Sequence, residues 1–195
     1  MDVNTKVKLS GLILDNPVIP ASGTYGFGKE YVDFYDINIL GSISIKGTTV
    51  QRRKGNPQPR IAECYSGLIN SVGLENPGME NVIQKELKDL EKIYRKPVIA
   101  NISGFSVEEY VTLAREMDKV DNVGIIEVNI SCPNVDHGGL AFGTNADNVR
   151  ELTKKIKEVT TKPIYMKLSP NVTDIKEIAR AAEEGGADGI SLINT

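Results

Sequence analysis

The run VGIIEVNISCPN, Val123 to Asn134, begins as a mostly apolar stretch and passes after Val128 into two asparagines, Asn129 and Asn134, on either side of Cys132. A short run rich in Val and Ile reads as a strand buried on both faces, as in a parallel sheet. A buried strand that ends in polar and reactive side chains is how an α/β barrel presents its chemistry. The same pattern recurs on both sides, and Pro17–Ala21, Ser42–Lys46, Pro97–Ile102, Gly124–Ile130, Pro163–Leu168 and Gly189–Ile193 are candidate strands. Amphipathic segments lie between them. Met79, Val82, Ile83, Leu87, Leu90 and Ile93 share one helical face, and Val107, Tyr110, Val111, Ala114 and Met117 share another. Ser106 with Glu109 three residues on forms a capping box, and Gly185-Gly186 predicts a helix stop. Ahead of the first strand, Val7–Leu9 and Leu12–Leu14 around Ser10-Gly11 predict a hairpin that closes the barrel floor.

Alternating strands and helices imply a parallel sheet with right-handed crossovers. An open doubly wound sheet concentrates its ligand contacts at one glycine-rich turn. Here polar residues follow every strand instead: Ser22, Lys46, Asn101, Asn129 with Cys132, Lys167 and Asn194. A ring of strand ends converging on one site favours a (β/α)8 TIM barrel, of which about six of the eight strand–helix units are present. The expectation is a single TIM-barrel domain over residues 1–195, the front part of a longer polypeptide because the last residues follow a strand directly. The link from Gly47 to Gly78 is too long for a plain connection and carries Pro57, Pro59, Gly67, Gly73 and Pro77. It predicts an active-site lid or substrate loop.

Composition narrows the classes of function. The chain has 195 residues, 40% hydrophobic and 25% charged, as an ordinary globular domain has. A net charge of −3 without a long basic block argues against nucleic acid. The Arg52-Arg53-Lys54 cluster reads as a solvated loop. Nothing near Met1 has the order of a leader peptide, and no apolar run approaches the ~20 residues needed to cross a bilayer. A cytoplasmic protein without membrane contact is expected. The two cysteines, Cys64 and Cys132, lie far apart with no CxxC, so neither a disulfide framework nor a metal site is expected.

Each candidate residue has a chemical reading beside a plain one. Cys132 is either a small buried hydrophobe or a thiol whose pKa is drawn down from ~8.5 by nearby cations or donors. Lys46 and Lys167 end apolar strands, so their stems are buried. Their heads either snorkel to the rim or act on a ligand, a Schiff-base aldolase being one form of the latter. The asparagines are turn caps, or readers of a ring with alternating C=O and N–H groups, since each amide both donates and accepts. His137, the single histidine, and Cys64 read as structural.

Taken in order, ASGTYGFGKEY (Ala21–Tyr31), KGTT (Lys46–Thr49), GNPQPR (Gly55–Arg60), NSVGLENPG (Asn70–Gly78), NISCPN (Asn129–Asn134), KLSPNVTD (Lys167–Asp174) and INT (Ile193–Thr195) resemble the dihydroorotate dehydrogenase family, the flavin enzymes of pyrimidine synthesis. The resemblance runs from the first hairpin to Thr195. It implies oxidation of (S)-dihydroorotate to orotate, with one proton and one hydride leaving adjacent ring carbons and the hydride going to FMN. It implies Cys132 as the base. Toward FMN it places Ser22, Lys46, Gly47, Asn101, Asn129, Lys167 and Ile193, with Lys167 beside the pyrimidine end of the flavin. Toward substrate it places Lys46, Asn70, Ser71, Val72, Gly73, Leu74, Asn129, Asn194 and Thr195, with Lys46 meeting both ligands. No metal site is implied within the chain.

The thiol at Cys132, the start directly before the hairpin, GFGKEY and VDHGGLAFGT resemble the soluble class 1 subgroup that is linked to NAD. That resemblance implies a homodimer of catalytic subunits within a heterotetramer, the partner being an electron-transfer subunit with FAD and an iron–sulfur cluster. The alternative is a homodimeric, fumarate-linked member. A scaffold without catalysis fits less well, because the polar residues gather on one face. Barrel enzymes grip a phosphate with loops after strands seven and eight, so residues 1–195 alone are expected to bind FMN poorly.

Overall fold

A computed structural model of the chain describes residues 3–131 and 142–194. Cys132, His137 and Thr195 lie outside the described residues.

The chain opens with an antiparallel hairpin, β1 (Val7–Leu9) and β2 (Leu12–Leu14), with Val7 opposite Leu14. Gly11 takes a φ of 93°, as the tight turn requires. A short helix α1 (Ser22–Tyr25) follows, then an extended segment over 42–48. The long link beyond it contains a second hairpin, β3 (Ile61–Cys64) and β4 (Gly67–Asn70). One continuous helix comes next: α2 (Met79–Asn81), a π-helical turn Val82–Glu86, and α3 (Leu87–Ile93). Strand and helix then alternate as β5 (Val98–Ile102), α4 (Val107–Asp118), β6 (Val123–Asn129), α5 (Ala146–Lys157), β7 (Ile164–Lys167), α6 (Ile175–Glu184) and β8 (Gly189–Ser191).

The large sheet is parallel in the order β5-β6-β7-β8. Segment 42–48 joins its free edge, with the Ile45 and Thr48 N–H groups donating to the Ile99 and Asn101 carbonyls at 2.9 Å. Each new strand therefore adds beside the one before it, and the order never reverses. A doubly wound sheet has a reversal at its switch point, whereas a barrel wall does not. The first hairpin lies where the strands start. Ser10 Oγ is 2.7 Å from Tyr165 Oη and donates to the Asp188 carbonyl, and a Cβ on Gly124 would fall 2.6 Å from the Leu12 side chain. That is the floor position expected for it.

Pairing alternates sides along each strand. Ile43 and Ile45, Val98, Ala100 and Ile102, Ile126 and Val128, and Ile164, Met166 and Leu168 pack into one buried cluster with the helices. From the helices come Val82, Leu87 and Leu90, then Leu113 and Met117, Val149, Leu152 and Ile156, and Ile178 with Ala181. The intervening residues share the opposite face, and these carry the polar side chains. The caps are local. Ser106 Oγ accepts the Glu109 N–H at 3.2 Å, while the Glu109 carboxylate reaches back to the Phe105 N–H at 2.7 Å. Gly185 caps α6, with Gly186 at a φ of 95°.

One expectation is corrected. Pro17–Ala21 is not a laddered strand; apart from the Ala21 carbonyl, which accepts the Thr24 and Tyr25 N–H groups of α1, its backbone tie is the Gly41 N–H donating to the Val18 carbonyl at 3.0 Å. Pro17 and Pro20 lack the N–H groups that a ladder needs. The 47–78 link, expected as a lid or substrate loop, holds the β3–β4 hairpin. Both strands are exposed along their whole length, and their two-residue turn, Tyr65-Ser66, contains no glycine. Neither alternation nor turn chemistry announces such a hairpin.

Where 16–18 meets residue 41, the chains approach so closely that a Cβ on Gly41 would lie 1.9 Å from the Asn16 carbonyl oxygen. Gly41→Ala is expected to cost about 1–3 kcal/mol by overpacking, or about 2–4 °C of melting temperature per kcal/mol in a chain of this size. A thermal melt checks it.

Candidate active site

Four neighbouring strands end on the face turned away from the helices. That face carries Ser44 and Lys46 from segment 42–48, Asn101 from β5 with Ser103 just beyond it, Glu127 and Asn129 from β6 with Ser131 just beyond it, and Tyr165 and Lys167 from β7. Register places Asn101 beside Glu127 and Asn129 beside Lys167. Two hydrogen-bonded groups form across the strands. In the lower one, Asn101 Nδ2 donates to Glu127 Oε2 at 2.5 Å and Ser44 Oγ donates to the same oxygen at 3.2 Å. In the upper one, Asn129 Nδ2 donates to Ser103 Oγ at 3.1 Å, while the Ser131 hydroxyl and N–H donate to Asn129 Oδ1. The Tyr110 hydroxyl holds the Asn129 carbonyl at 2.7 Å. Each amide is thus oriented by partners on adjacent strands.

Gly47 lies directly beyond Lys46. A Cβ there would come within 2.9 Å of Asn101 Oδ1 and 3.4 Å of the Leu74 side chain, so this strand end stays bare of side chain. Ser22 is buried at the start of α1, and the Lys46 N–H donates to the Gly26 carbonyl at 2.8 Å, which ties that helix to the strand end. Burial pushes the Lys46 ammonium pKa down, with Glu75 pulling it back up. Lys46 forms no salt bridge among the described residues. It faces a cavity of about 550 Å³ shared with Arg52, Arg53, Glu75 and Asn76.

One buried side chain ties the far end of the long link back to its start. Asn76 Oδ1 accepts the Thr49 and Gly78 N–H groups at 3.2 and 3.0 Å, and Nδ2 donates to Thr49 Oγ1 and the Leu74 carbonyl at 2.9 and 2.8 Å. Asn56 clamps the strand opposite, donating through Nδ2 to the Ser71 carbonyl and hydroxyl at 3.0 Å. Arg60 pairs with Glu75. These ties hold Val72, Gly73 and Leu74 half-buried above the strand ends, with Gly73 and Leu74 at positive φ of 74° and 55°. Asn76→Ala would orphan two buried N–H groups and is expected to cost about 1–3 kcal/mol. It should also open the 51–78 segment to limited proteolysis before global unfolding, which a digestion time course reads.

Of the residues proposed from sequence, Gly47 lies against Asn101 and Leu74, Asn129 and Lys167 are register partners, and Lys46 adjoins Gly47 while lining the cavity beside Arg52 and Glu75. Asn194 is tied to the end of β7, its N–H donating to the Leu168 carbonyl at 3.2 Å. Asn70 and Ser71 are exposed, and Ile193 is 46% exposed. Cys64 is exposed on the β3–β4 hairpin. Arg53 is half-buried, its guanidinium 4.7 Å above the Phe105 ring, so the basic cluster is not wholly solvated. Sequence reasoning missed Ser44, Ser103, Glu127, Ser131 and Asn76. A charged residue two places before Asn129 in an apolar strand was the one visible sign of Glu127. Among the described residues, no three His, Cys, Asp or Glu side chains gather as a metal site. No helix among them is long and apolar enough to cross a membrane.

Compared with protein families, the chain matches the dihydroorotate dehydrogenase model over residues 4–195. It is 56% identical over 190 residues to the catalytic subunit of dihydroorotate dehydrogenase B (NAD(+)) of Bacillus cytotoxicus, covering 97% of this chain and 61% of the relative. It is 55% identical over the same length to the corresponding subunit of Bacillus cereus strain AH187. Among solved structures it is similar to DHODH of Eimeria tenella in complex with ferulenol, with a TM-score of 0.79 and 18% identity over 100% of this chain and 60% of that one. The fold is that of a TIM barrel, and the chain spans 61% of the length of the curated relatives it matches.

Proposed function

The chain belongs to the dihydroorotate dehydrogenase family, and from that premise we propose that the full-length protein oxidises (S)-dihydroorotate to orotate in pyrimidine synthesis, using FMN and passing electrons to NAD through a partner subunit. The observation that carries this reading is the pair of oriented amides, Asn101 and Asn129, at neighbouring strand ends that also carry Lys46 and Lys167, with the bare backbone of Gly47 beside Asn101. A flat ring needs such a cradle, and a Cβ at Gly47 would fill it. Ser22, Lys46, Gly47, Asn101, Asn129, Lys167 and Ile193 would hold FMN, which when bound supplies the hydride acceptor.

The chain's own residues perform the remaining tasks. Lys46, which forms no salt bridge among the described residues, suits the substrate carboxylate. Asn129 gives one amide hydrogen to Ser103 and retains the other for a ring carbonyl. Residues 70–74 close over the ring, and Asn194 with Thr195 flanks it. Cys132 removes the ring proton as a thiolate, so the proton goes to Sγ while the C–H electron pairs of the substrate yield the new double bond and the transferred hydride. The partner would be an electron-transfer subunit with FAD and an iron–sulfur cluster, in a heterotetramer built on a catalytic homodimer. A cytoplasmic location belongs to the same reading.

Anaerobic mixing of the FMN-loaded full-length protein with dihydroorotate tests it. The flavin absorbance band is expected to bleach within the turnover time, and an unbleached band would overturn the assignment. Reoxidation of the bleached protein by NAD only when the partner subunit is added would separate the NAD-linked form from a fumarate-linked one.

A further inference from the structure

Glu127 is 8% exposed in the middle of β6, where a Val or Ile would pack without a desolvation cost. Neither substrate nor cofactor contact is assigned to it, yet two donors from two other strands converge on its Oε2: Asn101 Nδ2 at 2.5 Å and Ser44 Oγ at 3.2 Å. A carboxylate offers acceptor atoms only. The Asn101 amide must therefore turn its NH2 toward Glu127 and its carbonyl oxygen the other way. Oδ1 does point the other way, lying 2.9 Å from where a Cβ on Gly47 would stand, and it accepts no hydrogen bond among the described residues.

The geometry points to Glu127 as a positioning residue that locks Asn101 with its acceptor oxygen facing the ring site, so that Asn101 reads an N–H edge of the bound cofactor. This rests on the FMN reading above and extends it to a residue that touches neither ligand. Asn129 is fixed in the opposite sense. The Ser131 N–H can only donate, so Asn129 Oδ1 turns to it and the amide hydrogens turn away. The ends of β5 and β6 thereby present an acceptor beside a donor, a pair that an unanchored amide could invert at little cost.

The test is FMN affinity of the full-length protein, measured by flavin fluorescence quenching, with the melting temperature of the apoprotein recorded alongside. Glu127→Gln keeps an acceptor for Asn101 and is expected to bind FMN within about threefold of wild type, whereas Glu127→Met should weaken it by about tenfold, roughly one hydrogen bond's worth. In an Asn101→Ala background, Glu127→Met should weaken FMN no further, because the effect passes through Asn101. Unchanged affinity in Glu127→Met, or an equal loss in both backgrounds, would overturn the role even if the melting temperature falls. Failure of the wild-type protein to take up FMN would overturn the flavin reading together with it. If Glu127→Met does not melt cooperatively, an exchanged pair decides. Asn101→Asp should lose FMN by facing one carboxylate with another, and adding Glu127→Gln should restore most of the affinity; no restoration overturns the proposal.

Discussion

Replacing Cys132 by Ala in the full-length protein is expected to slow flavin reduction by dihydroorotate by about 10²–10⁴-fold, the usual share of a general base, while FMN stays bound. Alanine removes Sγ, the group proposed to take the ring proton. The strand end that delivers residue 132 is anchored independently of the thiol. Ser131 is 7% exposed and donates to Asn129 Oδ1 through both its hydroxyl and its N–H, and Asn129 is held in turn by Ser103 and Tyr110. The substitution should therefore leave the amides in place and show itself in the chemical step. Stopped-flow absorbance under anaerobic conditions measures it. If the variant instead loses FMN and the remaining holoenzyme turns over at a near-normal rate, Cys132 is a packing residue and the base lies elsewhere.

Lys46→Met is expected to separate activity from stability. Loss of a charge-assisted contact to the substrate carboxylate, worth ~1.5–3 kcal/mol, corresponds to a fall in kcat/KM of about 10- to 150-fold. The same substitution should stabilise the apoprotein, because methionine fills the space without a buried ammonium. The pH dependence follows in sign. Burial lowers the Lys46 pKa from its ordinary 10.5 in the folded state, with Glu75 offsetting part of the effect. Between the lowered value and 10.5 the unfolded chain binds more protons than the folded one, so wild-type stability rises with pH across that window. Below the window, the full cost of burying the charge is present. The Met variant should melt higher at neutral pH and lose that alkaline rise. Equal melting temperatures and unchanged kcat/KM would show that Lys46 extends to solvent and does not meet the substrate.

Much of the scaffold was legible without coordinates. The strands at 98–102, 123–129, 164–167 and 189–191, the helices after 79 and 107, the Ser106 cap and the first hairpin all appear where expected. In each case the cause is local: apolar period, capping side chain and glycine stop act within a few residues of one another. Where local rules conflict, reading failed. Pro17 and Pro20 removed the donors from an otherwise apolar run, and the β3–β4 hairpin has both faces in solvent and hence no alternation to detect. Lys46, Asn101, Asn129 and Lys167 are legible as candidates because they end successive apolar strands.

The sequence by itself determined a parallel wall of strands whose polar ends lie on one face, and the motifs in it carried the family. Only the tertiary structure decided what holds those ends in position. Glu127 meets Ser44 from 83 residues away and Asn101 from 26, and Asn76 meets Thr49 across 27. Such partnerships depend on the register between strands and on the return path of a long loop. Neither is encoded within any short window, because register is set by burial summed over the whole sheet.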